Sequence, residues 1–223
     1  MIFDASLAPR VLRETLGHIL EDPKNFLPIY AISTLSGIGF DVFGQNSPAL
    51  LLGYNVAFLF LTLVLQAWAT LAIVQCADVQ SPQPRRLRIA SLFGISLVTG
   101  LGIAFGLLLL ILPGLYFAGR WFLTVPILLG ENLSMSEAMQ ESWDRTERHW
   151  LGCALLIVLA ALFQMLPLVG GLYVPVTGDI ANWAWIICLN LASQAGWLFG
   201  VAAAATYYLS IGDRRATAAK IFG

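Results

Sequence analysis

Six long stretches of this 223-residue chain are almost free of charge, at Phe26–Val42, Ala49–Ala77, Ile89–Leu112, Gly114–Gly130, Trp150–Leu168 and Ile180–Leu209. A helix that crosses the hydrocarbon of a bilayer needs about 20 such residues, with a range of roughly 17 to 25. The second and sixth runs are longer and are expected to tilt or to project beyond the lipid. In lipid only helices and closed barrels satisfy their own backbone hydrogen bonds, and runs that are continuous rather than alternating exclude a barrel. The chain therefore reads as an all-α integral membrane protein, with six transmembrane helices in a single domain spanning 1–223. Composition agrees: 58% of residues are hydrophobic and only 11% are charged. A soluble domain carries about a quarter charged residues, so a soluble, a disordered and a nucleic-acid-binding protein are all excluded.

The scarce charges are sorted by loop. Arg10, Arg13 and Lys24 precede the first run; Arg85, Arg86 and Arg88 lie between the second and third; Arg145 and Arg148 between the fourth and fifth; Arg214, Arg215 and Lys220 after the sixth. The alternate loops, Phe43–Pro48, Pro113-Gly114 and Val169–Asp179, contain no lysine or arginine. Eleven of the twelve basic residues thus share one side. The positive-inside rule makes that side cytoplasmic, with both termini inside. The near-zero net charge of −1 conceals this asymmetry. Clusters of two or three basic residues interleaved with acids read as topology signals rather than as a patch for anionic headgroups. The first 22 residues hold too many charges for the apolar core of a cleavable signal peptide.

Two polar segments have helical period. In 6–21, Leu12, Leu16 and Ile19 oppose Arg10, Arg13, Glu14 and Glu21; in 134–149, Met135, Met139, Trp143, Thr146 and Trp150 oppose Glu137, Glu141, Asp144 and Arg148. Ser134-x-x-Glu137 has the spacing of a capping box. Both segments are expected to be amphipathic helices along the cytoplasmic interface. The third cytoplasmic segment, Ser81–Arg88, is short and carries Pro82 and Pro84. The succession of polar segment, run, outer turn and run suggests a threefold repeat of two-span units over 1–77, 78–130 and 131–212.

Helices in lipid associate by close backbone approach at small residues. Ala192, Gly196, Gly200 and Ala204 form such a stripe on the sixth run, and Gly94, Gly102 and Gly106 on the third. Leu112-Pro113-Gly114 predicts a tight hairpin between the third and fourth runs. Cys76, Cys153 and Cys188 are odd in number, far apart and intrahelical, which suits neither a disulfide framework nor a zinc site.

A search for chemistry returns little. The two histidines, His18 and His149, fall on the interfacial segments, and no metalloprotease, nucleophile-elbow or phosphate-loop motif is present. No metal or cofactor is implied, and a catalytic role is not expected. Polar groups at membrane depth are mostly amides, among them Asn55, Gln66, Gln164, Asn190 and Gln194. The exception is Arg120, ~9 Å beyond the Pro113-Gly114 turn at 1.5 Å per residue. An intramembrane arginine is expensive and marks a candidate site. Asp41 and Asp179 are its expected partners, with snorkelling to the outer headgroups as the alternative.

From Leu112 to Trp150 the chain reads L-P-G-L-Y-F-A-G-R-W, then a proline-bearing run, then S-E-A-M-Q-E-S-W-D-R-T-E-R-H-W. This resembles the membrane domain of glycerophosphoryl diester phosphodiesterases and the related YciC-like small bacterial inner-membrane proteins. Their span P-G-x-Y-x-x-x-R matches Pro113, Gly114, Tyr116 and Arg120; their polar helix E-A-x-x-x-S-W-x-x-T matches Glu137, Ala138, Ser142, Trp143 and Thr146. The resemblance implies a multi-pass protein of the bacterial inner membrane. It does not imply phosphodiesterase activity, which in that family belongs to a separate soluble domain for which this chain has no room.

Two functions remain. The first is a non-enzymatic membrane scaffold or accessory subunit, packing against another membrane protein or a second copy of itself. The second is a transporter or lipid-handling protein that uses Arg120 and an amide-lined interior for an anionic group. Membrane lipids are partners in either case.

Overall fold

The structure is a computed structural model that describes residues 7–43, 48–77, 89–131, 133–173 and 180–222. It is all-helical among these residues. The order is α1 (Leu7–Glu21), α2 (Pro23–Phe43), α3 (Pro48–Ala77), α4 (Ile89–Leu109), α5 (Ile111–Arg120), α6 (Thr124–Glu131), α7 (Met135–Thr146), α8 (Trp150–Gln164), α9 (Leu166–Tyr173) and α10 (Ile180–Phe222). Asp179 and the basic cluster Arg85, Arg86 and Arg88 lie outside the described residues.

Each apolar run is helical, but three are interrupted. Four stretches are long and apolar enough to cross a membrane: Leu52–Gln75, Ala90–Leu108, Ile111–Glu131 and Trp183–Gly212. A fifth is obtained if α7 and α8, bent by 107° at their junction, count as one broken span. α2 is 21 residues long yet is not among them. α8 has 15 residues, or ~22 Å of helix, short of a hydrocarbon core of about 30 Å without α9.

The third and fourth runs do form a hairpin, but not at Pro113-Gly114. The chain reverses at Leu110, whose backbone is extended at φ −168° and ψ 149°. Proline is tolerated in the first turn of a helix, where its missing N–H has no intrahelical acceptor anyway. Pro113 therefore sits inside the start of α5. Gly114 sits inside the interface: a Cβ on Gly106 would lie 2.7 Å from the Gly114 Cα. These two glycines, equidistant from Leu110 in the chain, let α4 and α5 touch backbone to backbone.

Two buried clusters hold the bundle, and α10 belongs to both. One gathers Val11 of α1, Ile95 of α4, Leu123 and Ile127, Ala138 of α7 and Cys153 of α8 around Ala203 and Tyr207 of α10. The other joins Phe26 and Ile29 of α2 to Leu65, Ala69 and Ile73 of α3 around Ala202 and Ala205 of α10. The run of alanines from Ala202 to Ala205 is buried on all sides. Small side chains there admit neighbours at close range from two directions. The outer surface is apolar instead, with Leu101, Phe105 and Leu108 of α4 and Leu155 and Leu162 of α8 exposed. That is the distribution expected when the solvent is lipid.

The predicted small-residue faces are filled from within the chain. A Cβ on Gly94 would meet the Met135 sulfur at 2.9 Å, and one on Gly102 the Trp121 ring. On α10, Gly196 faces the Ala160 carbonyl and Gly200 the Ala160 methyl group. Ala204 is buried and Ala192 half-buried.

Candidate functional site

Residues of the fourth run and of the polar helix after it meet at one junction. α7 begins with the predicted capping box. The Ser134 N–H donates to the Glu137 carboxylate at 2.8 Å, and the Glu137 N–H donates to the Ser134 hydroxyl at 3.4 Å. These bonds hold the Glu137 carboxyl below its usual range. The face that α7 buries is not centred on its methionines and tryptophan. It is Ala138, Ser142 and Thr146, spaced four apart, with Met139 and Trp143 half-buried beside it.

That small, polar face meets a helix break. Inside a continuous helix Pro126 would clash with the preceding turn and leave the Phe122 carbonyl without its donor. The chain instead ends α5 at Arg120, turns through Trp121–Leu123 and restarts at Thr124, which puts Pro126 in a first turn. The Trp121 carbonyl accepts from the Thr124 N–H at 3.1 Å and from its hydroxyl at 2.8 Å. The Arg120 carbonyl accepts from two hydroxyls of α7, Ser142 Oγ and Thr146 Oγ1, both at 2.9 Å. Two side chains of α7 thus replace the hydrogen bond that the interrupted helix lost.

The Arg120 side chain is only 4% exposed. Among the described residues no carboxylate pairs with it. Asp41 accepts a 2.7 Å hydrogen bond from the Asn190 amide, which ties α2 to α10. Asp179 lies outside the described residues. The guanidinium carbon of Arg120 instead lies 4.4 Å from the centroid of the Trp143 ring and 5.7 Å from that of Tyr116. Tyr116 packs edge-on against Trp143 and Trp150, at 5.7 and 5.2 Å. A desolvated cation–π contact is worth about 2 kcal/mol, and it holds Arg120 in an aromatic cage with Nε unpartnered among the described residues. The motif residues Tyr116, Arg120, Ser142, Trp143 and Thr146 therefore converge, while Gly114 packs against α4 and Glu137 caps the helix that carries three of them.

A second clamp fixes the far end of α6. Arg145 donates to both oxygens of Glu131, at 2.5 and 2.7 Å, and through Nε to Glu141 at 2.6 Å. Glu141 lies one helical turn from Arg145 on the same helix, whereas Glu131 belongs to α6. Lysine cannot reproduce this fork. Arg145→Lys is expected to cost about 1 kcal/mol, read as a lowered melting temperature in detergent, whereas an unchanged temperature would show the clamp to be dispensable.

Beside the junction lies a cavity of about 370 Å³ walled by α3, α4, α5, α6, α8 and α10 and by the break between α5 and α6. Its polar lining is Gln66 and Thr70 of α3, Ser96 and Thr99 of α4, and Gln164 of α8. Trp121 and Phe122 of the break form part of its wall; Arg120 does not. Among the described residues no charged side chain lines it. Of the amides at membrane depth, Gln66 and Gln164 reach this space, while Asn190 is occupied by Asp41. Among the described residues no three His, Cys, Asp or Glu side chains gather as a metal site.

An all-helical bundle, apolar outside and carrying a buried polar junction between a broken span and a capped amphipathic helix, defines a multi-pass membrane protein. Residues 92–192, a little under half of the chain, match the family described as the membrane domain of glycerophosphoryl diester phosphodiesterase. The match contains the whole junction from Gly114 to Thr146, together with the cavity-lining Ser96, Thr99 and Gln164. No curated protein and no solved structure matches the chain.

Proposed function

We propose that the chain is a non-catalytic membrane protein that takes a lipid, or a small polar solute from within the bilayer, into the cavity beside the α5–α6 break. The observation that carries this reading is a space within the apolar bundle whose mostly apolar wall carries two amide and three hydroxyl side chains. Gln66, Thr70, Ser96, Thr99 and Gln164 bring amide and hydroxyl groups to this space, so an occupant that can hydrogen-bond is favoured there over a purely apolar one. Sites between helices beside a discontinuous span are a recurrent arrangement in proteins that move substrates across membranes. Arg120 has no part in binding here, because its charge rests against Trp143 and Tyr116 outside the cavity wall. Amides and hydroxyls do not titrate near neutral pH, which favours binding over catalysis.

The accessory-subunit reading has less support. It rests on the small-residue faces and the amphipathic cytoplasmic helices, and of the former Gly94, Gly102, Gly106, Gly196 and Gly200 already meet atoms of the same chain. One purification separates the two. In mild detergent the wild-type chain should retain bound lipid at close to one per chain, identified by mass spectrometry. A lipid-free chain held in stoichiometric complex with another membrane protein would reverse the choice.

We further propose six spans in the bacterial inner membrane, with α2 and the α8–α9 pair completing the four long ones and both termini cytoplasmic. The one-sided distribution of basic residues supports this orientation. In a background with Cys76, Cys153 and Cys188 replaced by alanine, a cysteine at Asn46 or Thr177 should react with an impermeant maleimide added to intact cells. One at Gln83 should react only after permeabilisation. The reverse pattern would invert the orientation.

A further inference from the structure

We infer that the cavity selects an uncharged glycerolipid head, the glycerol and ester region of a diacylglycerol, and admits it sideways from the bilayer past Gly100. This deepens the lipid-handling reading and rests on it. Three observations on the same space lead there.

The first is depth. Each of the four long spans contributes to the wall near its own middle: Gln66 in Leu52–Gln75, Thr99 in Ala90–Leu108, Trp121 in Ile111–Glu131, and Gly200 in Trp183–Gly212. The cavity therefore lies away from both ends of all four long spans. A charged head reaches that depth only at a cost of several kcal/mol unless it is paired, whereas an uncharged glyceride head carries no such penalty.

The second is the chemistry of the lining. Two amides and three hydroxyls offer donors and acceptors but no charge. The nearest basic residue along the chain is Arg120, and aromatic rings hold its guanidinium away from the cavity. Nothing in the wall could neutralise a phosphate. Hydroxyl and ester oxygens are the complementary partners. At about 30 Å³ per molecule the cavity has room for roughly a dozen waters, comparable to a glycerol with two ester linkages and too little for a whole lipid. The acyl chains must therefore leave through an opening.

The third is where that opening lies. Gly100 lines the cavity and is itself exposed, and a Cβ built on it meets no atom within 4 Å. The helices on either side, α3 and α4, touch only sparsely. Leu97 and Leu101, next to Gly100 on α4, are exposed apolar side chains along which the chains could lie.

The test uses the full chain in phosphatidylcholine nanodiscs containing a diacylglycerol with a photoreactive diazirine near its glycerol. Label should appear on α4 and on Trp121–Pro126, and unlabelled dioleoylglycerol should compete it away. Gln66→Leu with Gln164→Leu should weaken labelling about tenfold, the loss of about two hydrogen bonds. Gly100→Leu should block entry while leaving the melting temperature unchanged, since its side chain meets open space. Phosphatidic acid carrying the same diazirine should label the cavity at least tenfold less. Equal labelling by phosphatidic acid would overturn selection of a neutral head but leave lipid handling standing. Competition by free glycerol would overturn the lipid as source. Failure of both lipids to label the cavity would overturn this inference and the lipid-handling reading together.

Discussion

A leucine in place of Gly106 should force α4 and α5 apart. Its Cβ alone would lie 2.7 Å from the Gly114 Cα and 2.9 Å from the Gly114 nitrogen, both backbone atoms that cannot rotate away. Overpacking in a well-filled interior costs about 1–3 kcal/mol, and more where backbone must move. We expect the upper end of that range, about 3 kcal/mol, with a lowered midpoint in denaturing-detergent titration. Gly100, one and a half turns earlier on the same helix, is the internal control. A leucine there should change stability by less than about 0.5 kcal/mol, as surface substitutions do. Equal losses at the two positions would show that the contact between Gly106 and Gly114 does not decide the outcome, since leucine is a better helix former than glycine at both.

The Arg120 cage gives the second large effect, and its sign depends on which partner is removed. Trp143→Ala takes away the ring that faces the guanidinium and leaves a buried cation uncompensated. Truncating a packed tryptophan costs about 3–5 kcal/mol, and loss of the cation–π contact is part of that sum. Arg120→Leu removes the charge itself. Replacing a buried ion by an apolar side chain of similar bulk is often neutral or stabilising, and the Arg120 carbonyl, which Ser142 and Thr146 hold, is unaffected. We expect a change within about 1 kcal/mol for Arg120→Leu, and a double variant less damaged than the sum of the singles. If Arg120→Leu proves as damaging as Trp143→Ala, the guanidinium has a structural role that its ring contacts do not describe.

Much of the architecture was legible because lipid makes strict demands. Continuous apolar runs became helices, and the capping box at Ser134 and Glu137 starts a helix where its spacing said it would. What was not legible has physical causes. The hairpin was placed on Pro113-Gly114 because proline and glycine usually punctuate turns. Here the proline occupies a first helical turn and the glycine a contact, so an ordinary leucine, Leu110, makes the reversal. The interruption after Arg120 was signalled by Pro126, but a proline in an apolar run predicts either a kink or a restart, and only packing decides between them.

For the site, residue types were more informative than partners. Arg120 stood out as the one charge that topology did not explain. Its pairing with Asp41 was inferred from scarcity of alternatives, and aromatic rings were not weighed as counterparts. Ser142 and Thr146 were visible as motif residues one turn apart on the same face as Ala138. Their role became clear only once a carbonyl without a helical donor was found opposite them. The cavity could not have been read at all. Gln66, Ser96 and Gln164 lie on three helices, and which amides of several converge depends on rotation about each helix axis.

The position of α10 between the two buried clusters bears on how the protein is made. This helix follows the other nine described helices along the chain. Until it enters the bilayer, the faces of α2 and α3 built around Ala202 and Ala205, and those of α7 and α8 around Ala203 and Tyr207, have no common partner. The earlier helices can meet in pairs, as α4 and α5 do at Gly106 and Gly114, yet both clusters stay open on one side. Closing both clusters together therefore waits on α10, and a variant lacking it would keep the α4–α5 hairpin and the α5–α7 junction but leave the faces of α2, α3 and α8 uncovered, open to quality control.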